Sequence, residues 1–149
     1  MKQKKEQIGE ALLDVICTFY EKDRTARTFG TGTELYHSEI TMLQCILEHP
    51  GLHISGIARL LGITRGAASQ TAKRLVRKQM AQKTSSPSDD KKIILRLTEN
   101  GKTAAENHKQ AHEKYRTVIA SLLADASAEQ LRFLAGFLSE FLEILQKGK

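Results

Sequence analysis

HISGIARLLGITRGAASQTAKRLVRKQ, residues 53–79, carries the pattern of two short helices joined by a tight turn. Ile54, Ile57, Ala58 and Leu61 recur at i, i+3, i+4 and i+7, which puts them on one face of a helix. Gly62 then supplies the residue type that closes a helix in the left-handed conformation without steric cost. Thr64 stands where a second helix needs an N-cap. A small residue at 58 and a glycine four residues later suit a helix-turn-helix, whose helices cross closely and steeply.

The second helix of the pair, from Arg65 to about Lys78, carries the chemistry. At 100° per residue Ala68, Ala72, Leu75 and Gln79 share one side, with Val76 beside them. Gly66, Gln70, Lys73 and Arg77 fall opposite, flanked by Ser69 and Arg74. The inner side is mostly small, and the outer side is polar and cationic. An ordinary solvated face mixes both signs of charge; this one has no acid. Gln, Ser, Lys and Arg are the residue types that hydrogen-bond base edges and phosphates.

A β-hairpin is expected next. Ala81 to Ser85 reads as a short strand, Ser86 to Asp90 is dense in turn formers, and Ile93 to Leu97 is apolar and partly β-branched. Lys83, Lys91, Lys92 and Arg96 decorate it. Helix, turn, helix and basic hairpin together make a winged helix-turn-helix.

Charge is placed to match. The 149-residue chain carries a net +6. Between Gly51 and Thr98 stand ten Lys/Arg against two Asp/Glu, and no acid occurs between Glu48 and Asp89. The rest of the chain is slightly acidic. Basicity confined to one module is the electrostatic footprint of a nucleic-acid binder. With 40% hydrophobic and 27% charged residues, the length fits one globular domain over 1–149.

The chain resembles the MarR-type transcriptional regulators. The resemblance rests on Leu35-Tyr-His-Ser-Glu-Ile-Thr-Met-Leu43, Ile54-Ser-Gly-Ile-Ala-Arg-Leu-Leu-Gly-Ile63, Lys73-Arg-Leu75, and a wing with Asp90-Lys-Lys92 that ends in Leu97-Thr-Glu-Asn-Gly101. It covers nearly the whole chain. One position departs: where the family's wing carries an arginine for the minor groove, this chain has Lys92, which keeps the charge and loses the planar fork.

The resemblance implies a mainly α fold with a small β-hairpin wing, a winged helix-turn-helix core at about 35–98. N- and C-terminal dimerisation helices are expected at about 4–24 and 99–146. It implies a homodimer whose paired recognition helices meet successive major grooves of a pseudo-palindromic operator in double-stranded DNA. It also implies a repressor that a small-molecule effector releases. On this reading Arg65, Ser69, Gln70 and Lys73 reach base edges. Thr64, Arg74, Arg77 and Lys83 hold phosphates, and Lys92 extends toward the minor groove.

The flanking segments agree with a dimer. Residues 4 to about 24 form a helix with Ile8, Leu12, Val15, Ile16 and Phe19 on one side. Thr25 to Thr33 is a loop, and a second helix begins near Ser38, taken as its N-cap, ending at Pro50-Gly51. Thr98 caps a long helix that reaches about Ala124. Ser127 caps the last one, where Leu131, Leu134, Leu138, Leu142 and Leu145 make one apolar stripe. Phe133, Phe137, Phe141 and Ile144 make another. A helix apolar nearly all round needs cover nearly all round. A second subunit would supply it.

Other constellations carry less. His108 and His112 lie at i, i+4 and resemble ligand positions of a zinc-sensing branch of the family, with His37 and Glu21, Asp23 or Glu39 nearby. Thr41 stands where that branch has a second-helix ligand, and solvated histidines are the plainer reading; no metal or cofactor is assigned. Cys17, with Tyr20 and Tyr36, raises a redox-sensing alternative, but its spacing is short for the hydroperoxide-sensing branch, and a small buried cysteine is expected. Cys45 reads as core. No phosphate-binding glycine loop, HExxH helix or nucleophile elbow is present, so no enzyme is expected. The basic start is interrupted by Glu6, Glu10 and Asp14, which leaves no secretory apolar region, and the cytoplasm is expected. A non-specific architectural DNA binder and a protein-binding winged module remain alternatives.

Overall fold

The computed structural model describes residues 1–86 and 89–147, with side chains throughout except those of Asp23, Ser86 and residues 89–92. In chain order the described elements are α1 (Lys2–Arg24), α2 (His37–Glu48), α3 (Ile54–Leu61), α4 (Arg65–Arg77), β1 (Ala81–Ser86), β2 (Asp89–Leu97), α5 (Glu99–Leu122) and α6 (Ala128–Lys147). They form two compact units, Met1–Gln110 and Ala111–Lys149, with the boundary inside α5. The winged helix-turn-helix lies in the first. No described helix is long and apolar enough to cross a membrane.

The core of the first unit joins α2, through Ile40, Met42, Leu43 and Ile46, to Ile57 and Ala58 of α3. Ala68, Ala72 and Leu75 of α4 close it from the other side, and Met80, Ala81, Leu95, Ala104 and Ala105 complete it. The turn between α3 and α4 is the one the sequence requires. Gly62 has φ 64°, and the Ile63 N–H donates to the Ala58 carbonyl at 3.0 Å, so the left-handed residue satisfies a helix-end carbonyl. Thr64 Oγ1 then accepts from the Ala67 N–H at 3.1 Å and starts α4.

The hairpin is antiparallel, with Ala81 opposite Leu97, Lys83 opposite Leu95 and Ser85 opposite Ile93. Its register shifts between Ser85 and Ser86, and Ser86 pairs with Asp89. Asp89 and Asp90, expected in the turn, therefore belong to β2; the expected turn residues Pro87 and Ser88 lie outside the described residues. An isolated bridge from His53 to Ile94 ties β2 to the start of α3.

Two other expectations change. Ser38 is not the N-cap of α2: Tyr36 is, and the Glu39 carboxylate accepts from its N–H at 2.9 Å. Gln79 is not on the inner side of α4. The helix has ended, and Gln79 is exposed with φ 57°, a left-handed turn that drops Met80 into the core.

That turn explains the Leu-Thr-Glu-x-Gly start of α5. Thr98 Oγ1 donates to the Gln79 carbonyl at 2.7 Å and accepts from the Gly101 N–H at 3.1 Å, while the Thr98 N–H donates to the Met80 carbonyl. A Cβ on Gly101 would sit 1.9 Å from the Met80 carbonyl oxygen. Backbone cannot yield there as a side-chain tip can, so the position requires glycine.

In the second unit, Ser127 and Gln130 form a reciprocal box at the start of α6: the Gln130 N–H donates to Ser127 Oγ at 3.2 Å, and the Ser127 N–H to Gln130 Oε1 at 2.8 Å. No described residue of α6 is buried. Phe133 and Leu142 are 75% and 55% exposed, and the rings of Phe137 and Phe141 stack at 6.1 Å.

Gly101→Ala should lower stability by about 1–3 kcal/mol, the usual cost of overpacking. Urea denaturation followed by circular dichroism measures it. An unchanged midpoint would show that α5 can shift away from Met80 freely.

Candidate nucleic-acid interface

Helix α4 is held by a narrow inner strip. Ala68, Thr71, Ala72 and Leu75 are buried, whereas Arg65, Gln70, Lys73 and Arg77 are exposed. Small residues on the inner strip let the helix approach its scaffold closely and leave most of its circumference outside. Its outer side thus becomes a surface that can enter a groove.

Arg65, Ser69 and Lys73 line a cleft of about 290 Å³ together with Lys83 of β1, Ile93 of β2, and His53, Ile54 and Ser55 at the start of α3. Three cations thus face one concavity among the described residues, and no described acid lines it. The first N–H groups of α3 add partial positive charge, since His53 makes no side-chain cap there. What this arrangement can do chemically is bind anions and donate hydrogen bonds, with Ser55 and Ser69 able to donate or accept.

The expected site residues divide accordingly. The structure brings Arg65, Ser69, Lys73 and Lys83 together. Gln70 and Arg77 are exposed on α4 outside the cleft wall. Thr64 is exposed, with its oxygen engaged as the cap. The side chain of Lys92 lies outside the described residues, as does that of Lys91.

Arg74 has a different partner from the phosphate expected of it. Its Nε donates to Glu39 Oε1 at 3.3 Å, and its Nη2 to Thr71 Oγ1 at 2.9 Å. Lys78, at the C-cap of α4, donates to Glu39 Oε2 and to the Glu34 carbonyl, both at 2.7 Å, and lies over the Tyr36 ring. Glu39 itself is fully buried. The sequence reading missed this hub. Its only signal was an acid three residues beyond Tyr36, the spacing of a capping box. His53 and Ser55 were missed as well, because the wing that folds over them is distant in sequence.

The two cysteines differ. Cys45 is buried, and burial pushes its thiol up, with Glu48 adding to the effect. Cys17 is exposed, against the buried cysteine expected, because no α1 residue belongs to the buried cluster.

Comparison with known proteins places the fold. Residues 35–93 match the model of the MarR family. The chain is 29% identical over 101 residues to the transcriptional regulator AdcR of Streptococcus pyogenes, covering 68% of this chain and 69% of that protein. Matches to three Bacillus subtilis HTH-type transcriptional regulators cover 59% to 69% of those proteins' lengths. Among solved structures, Lactococcus lactis ZitR, a zinc-responsive MarR family member, superposes with a TM-score of 0.74 at 22% identity, covering 95% of this chain and 98% of that one. Streptococcus pneumoniae FabT in complex with DNA gives 0.71 at 19% identity, covering 97% and 99%. The fold is thus a winged helix-turn-helix. Residues 35–93 are similar to the MarR family, and the curated relatives are HTH-type transcriptional regulators.

Of the groups weighed above as metal ligands, the side chains of His37, His108 and His112 are among the described residues and that of Asp23 is not. Zinc takes Cys, His, Asp or Glu ligands, four in a closed site. His108 Nδ1 lies 3.5 Å from Gln44 Oε1, and its ring meets Phe29 edge-on with centroids 5.7 Å apart. His37 Nε2 lies 3.5 Å from Thr41 Oγ1. Amide, phenyl and hydroxyl groups are poor zinc ligands, Glu39 is committed to two cations, and among the described residues no three His, Cys, Asp or Glu gather. On the solvated-histidine reading, excess zinc should leave Tm unchanged. A zinc-dependent rise that disappears in the His108→Ala, His112→Ala double variant would reverse this assignment, since a ligand that binds only the native state raises Tm by mass action.

Proposed function

We propose that this protein is a sequence-specific regulator of transcription that binds a pseudo-palindromic operator in double-stranded DNA as a homodimer. The observation that carries the reading is the cleft where Arg65, Lys73 and Lys83 converge beside the exposed face of α4, with no acid among its described lining residues. Cations alone attract any duplex. Reading a sequence needs uncharged hydrogen-bonding groups among them, and Ser69 and Gln70 supply these. Arg65, Ser69, Gln70 and Lys73 take base edges in this reading. Thr64, Arg77 and Lys83 take phosphates, and Lys92 extends toward the minor groove. Arg74 leaves the expected phosphate set. The DNA complex of FabT, of the same fold, supports DNA as the partner. Repression relieved by a small ligand that changes the spacing of the two modules completes the proposal.

Gln70→Ala and Arg77→Ala, each measured on operator and scrambled duplex at several salt concentrations, separate reading from attraction. Gln70→Ala should cost roughly 1–3 kcal/mol per half-site on the operator and almost nothing on scrambled DNA. Arg77→Ala should weaken both duplexes by similar factors. It should also flatten the slope of log affinity against log salt by about one unit for each phosphate left without its cation. Equal weakening of both duplexes by Gln70→Ala would mean that α4 is turned differently in the groove.

Dimerisation is proposed from the apolar side chains that the second unit leaves exposed, among them Val118, Ile119, Leu131, Phe133, Phe137, Leu138 and Leu142. Contiguous apolar surface of this kind marks an interface. Sedimentation at micromolar concentration should give a dimer mass, and Leu138→Glu should give a monomer with little change in helix content. A monomer mass for the unaltered protein would sink the proposal.

A further inference from the structure

Glu39 is a fully buried carboxylate in a structure where the neighbouring module is otherwise cationic. Both of its oxygens are engaged. Oε1 accepts from Arg74 Nε at 3.3 Å, and Oε2 accepts from Lys78 Nζ at 2.7 Å and from the Tyr36 N–H at 2.9 Å. Arg74 sits in the last turn of α4 and Lys78 is its C-cap. Among the described residues, every salt bridge made by these two cations runs to this one acid. The cations that line the cleft, Arg65, Lys73 and Lys83, have no salt-bridge partner among the described residues. The positive charge of the helix is therefore divided: open toward the cleft, and tied down at the C-terminal end.

We infer that Glu39 is a positioning residue for DNA reading, which clamps the C-terminal turn of α4 and withholds Arg74 and Lys78 from phosphate. The inference rests on the DNA-binding reading above. Its physical content is a ratio. Phosphate attraction is independent of sequence and rises with each cation offered, whereas base readout depends on where α4 is held. A buried acid that holds the helix and withdraws two cations lowers the first and secures the second, and both effects raise specificity. A wholly structural ion pair would change stability when broken and leave the salt dependence of binding alone.

Glu39→Gln keeps the shape and an acceptor for the Tyr36 N–H, removes the charge, and frees both cations, which are 40% and 26% exposed at the side chain and can swing into solvent. The variant should elute from heparin at higher salt and bind scrambled duplex several-fold more tightly. Its slope of log affinity against log salt should steepen by up to about two units per protomer. The ratio of operator to scrambled affinity should fall. Elution and slope identical to the unaltered protein would overturn the inference. If circular dichroism shows that Glu39→Gln does not fold, Arg74→Gln and Lys78→Gln decide instead. Each should leave the slope as it was, and a slope flatter by about one unit in either variant would show that its cation already holds phosphate. Should the unaltered protein bind no duplex while Glu39→Gln still elutes later from heparin, the charge withholding stands and the DNA-binding reading fails.

Discussion

Helix α4 must be gripped along a narrow strip so that the rest of it can protrude. The strip offers two alanines, a threonine and one leucine. Full burial of a leucine contributes about 1.5–3 kcal/mol and each buried methyl or methylene about 0.8 kcal/mol, so this face holds the helix weakly for its length. What the inner face lacks in area is supplied at the two ends. Thr64 caps the start, a contribution of about 1 kcal/mol. At the other end Met80, fully buried one left-handed turn beyond the helix, anchors the chain, with the Glu39 ion pairs beside it.

Those ion pairs specify geometry more than they add stability. A buried carboxylate loses its hydration, and attraction to a partner that is 40% exposed, as Arg74 is, is screened by solvent. Removing one partner is costly because it strands the charge, not because the pair itself contributes much. The consequence is directional. Glu39 holds the N-terminus of α2 through Tyr36 and the C-terminus of α4 through Arg74 and Lys78, so the angle between these helices is fixed by a few hydrogen bonds of 2.7 to 3.3 Å.

Local features were legible in the sequence. The apolar positions 54, 57, 58 and 61, the left-handed Gly62 and the Thr64 cap each depend on neighbours within a turn or two, and each appears in the structure. The caps at Thr98 and Ser127 are of the same kind. What was illegible depends on residues far apart in the chain. Glu39 meets its cations across 35 and 39 residues, and helix periodicity says nothing of such pairs. Ser38 had the right residue type for an N-cap, yet the buried Glu39 carboxylate captured the Tyr36 N–H and moved the start back. The convergence of Arg65, Ser69 and Lys73 on one side could be read from spacing, while the arrival of Lys83 beside them required the hairpin to fold back.

Gly101 shows how a sequence motif becomes a physical requirement. The glycine sits inside a helix, where it costs about 0.5–1 kcal/mol relative to alanine, and its φ is not left-handed. Conformation therefore does not explain it. Proximity does: the Met80 carbonyl occupies the place a Cβ would take. That carbonyl belongs to the residue that locks the end of α4, and it accepts from the Thr98 N–H at the start of α5. The wing is thus pinned at its base between the end of one helix and the start of another. Lys83, whose ladder partner Leu95 lies shortly before Thr98 on β2, inherits its place at the cleft from that junction. A helix glycine distant from the cleft in sequence thereby helps determine where one of the cleft's cations stands.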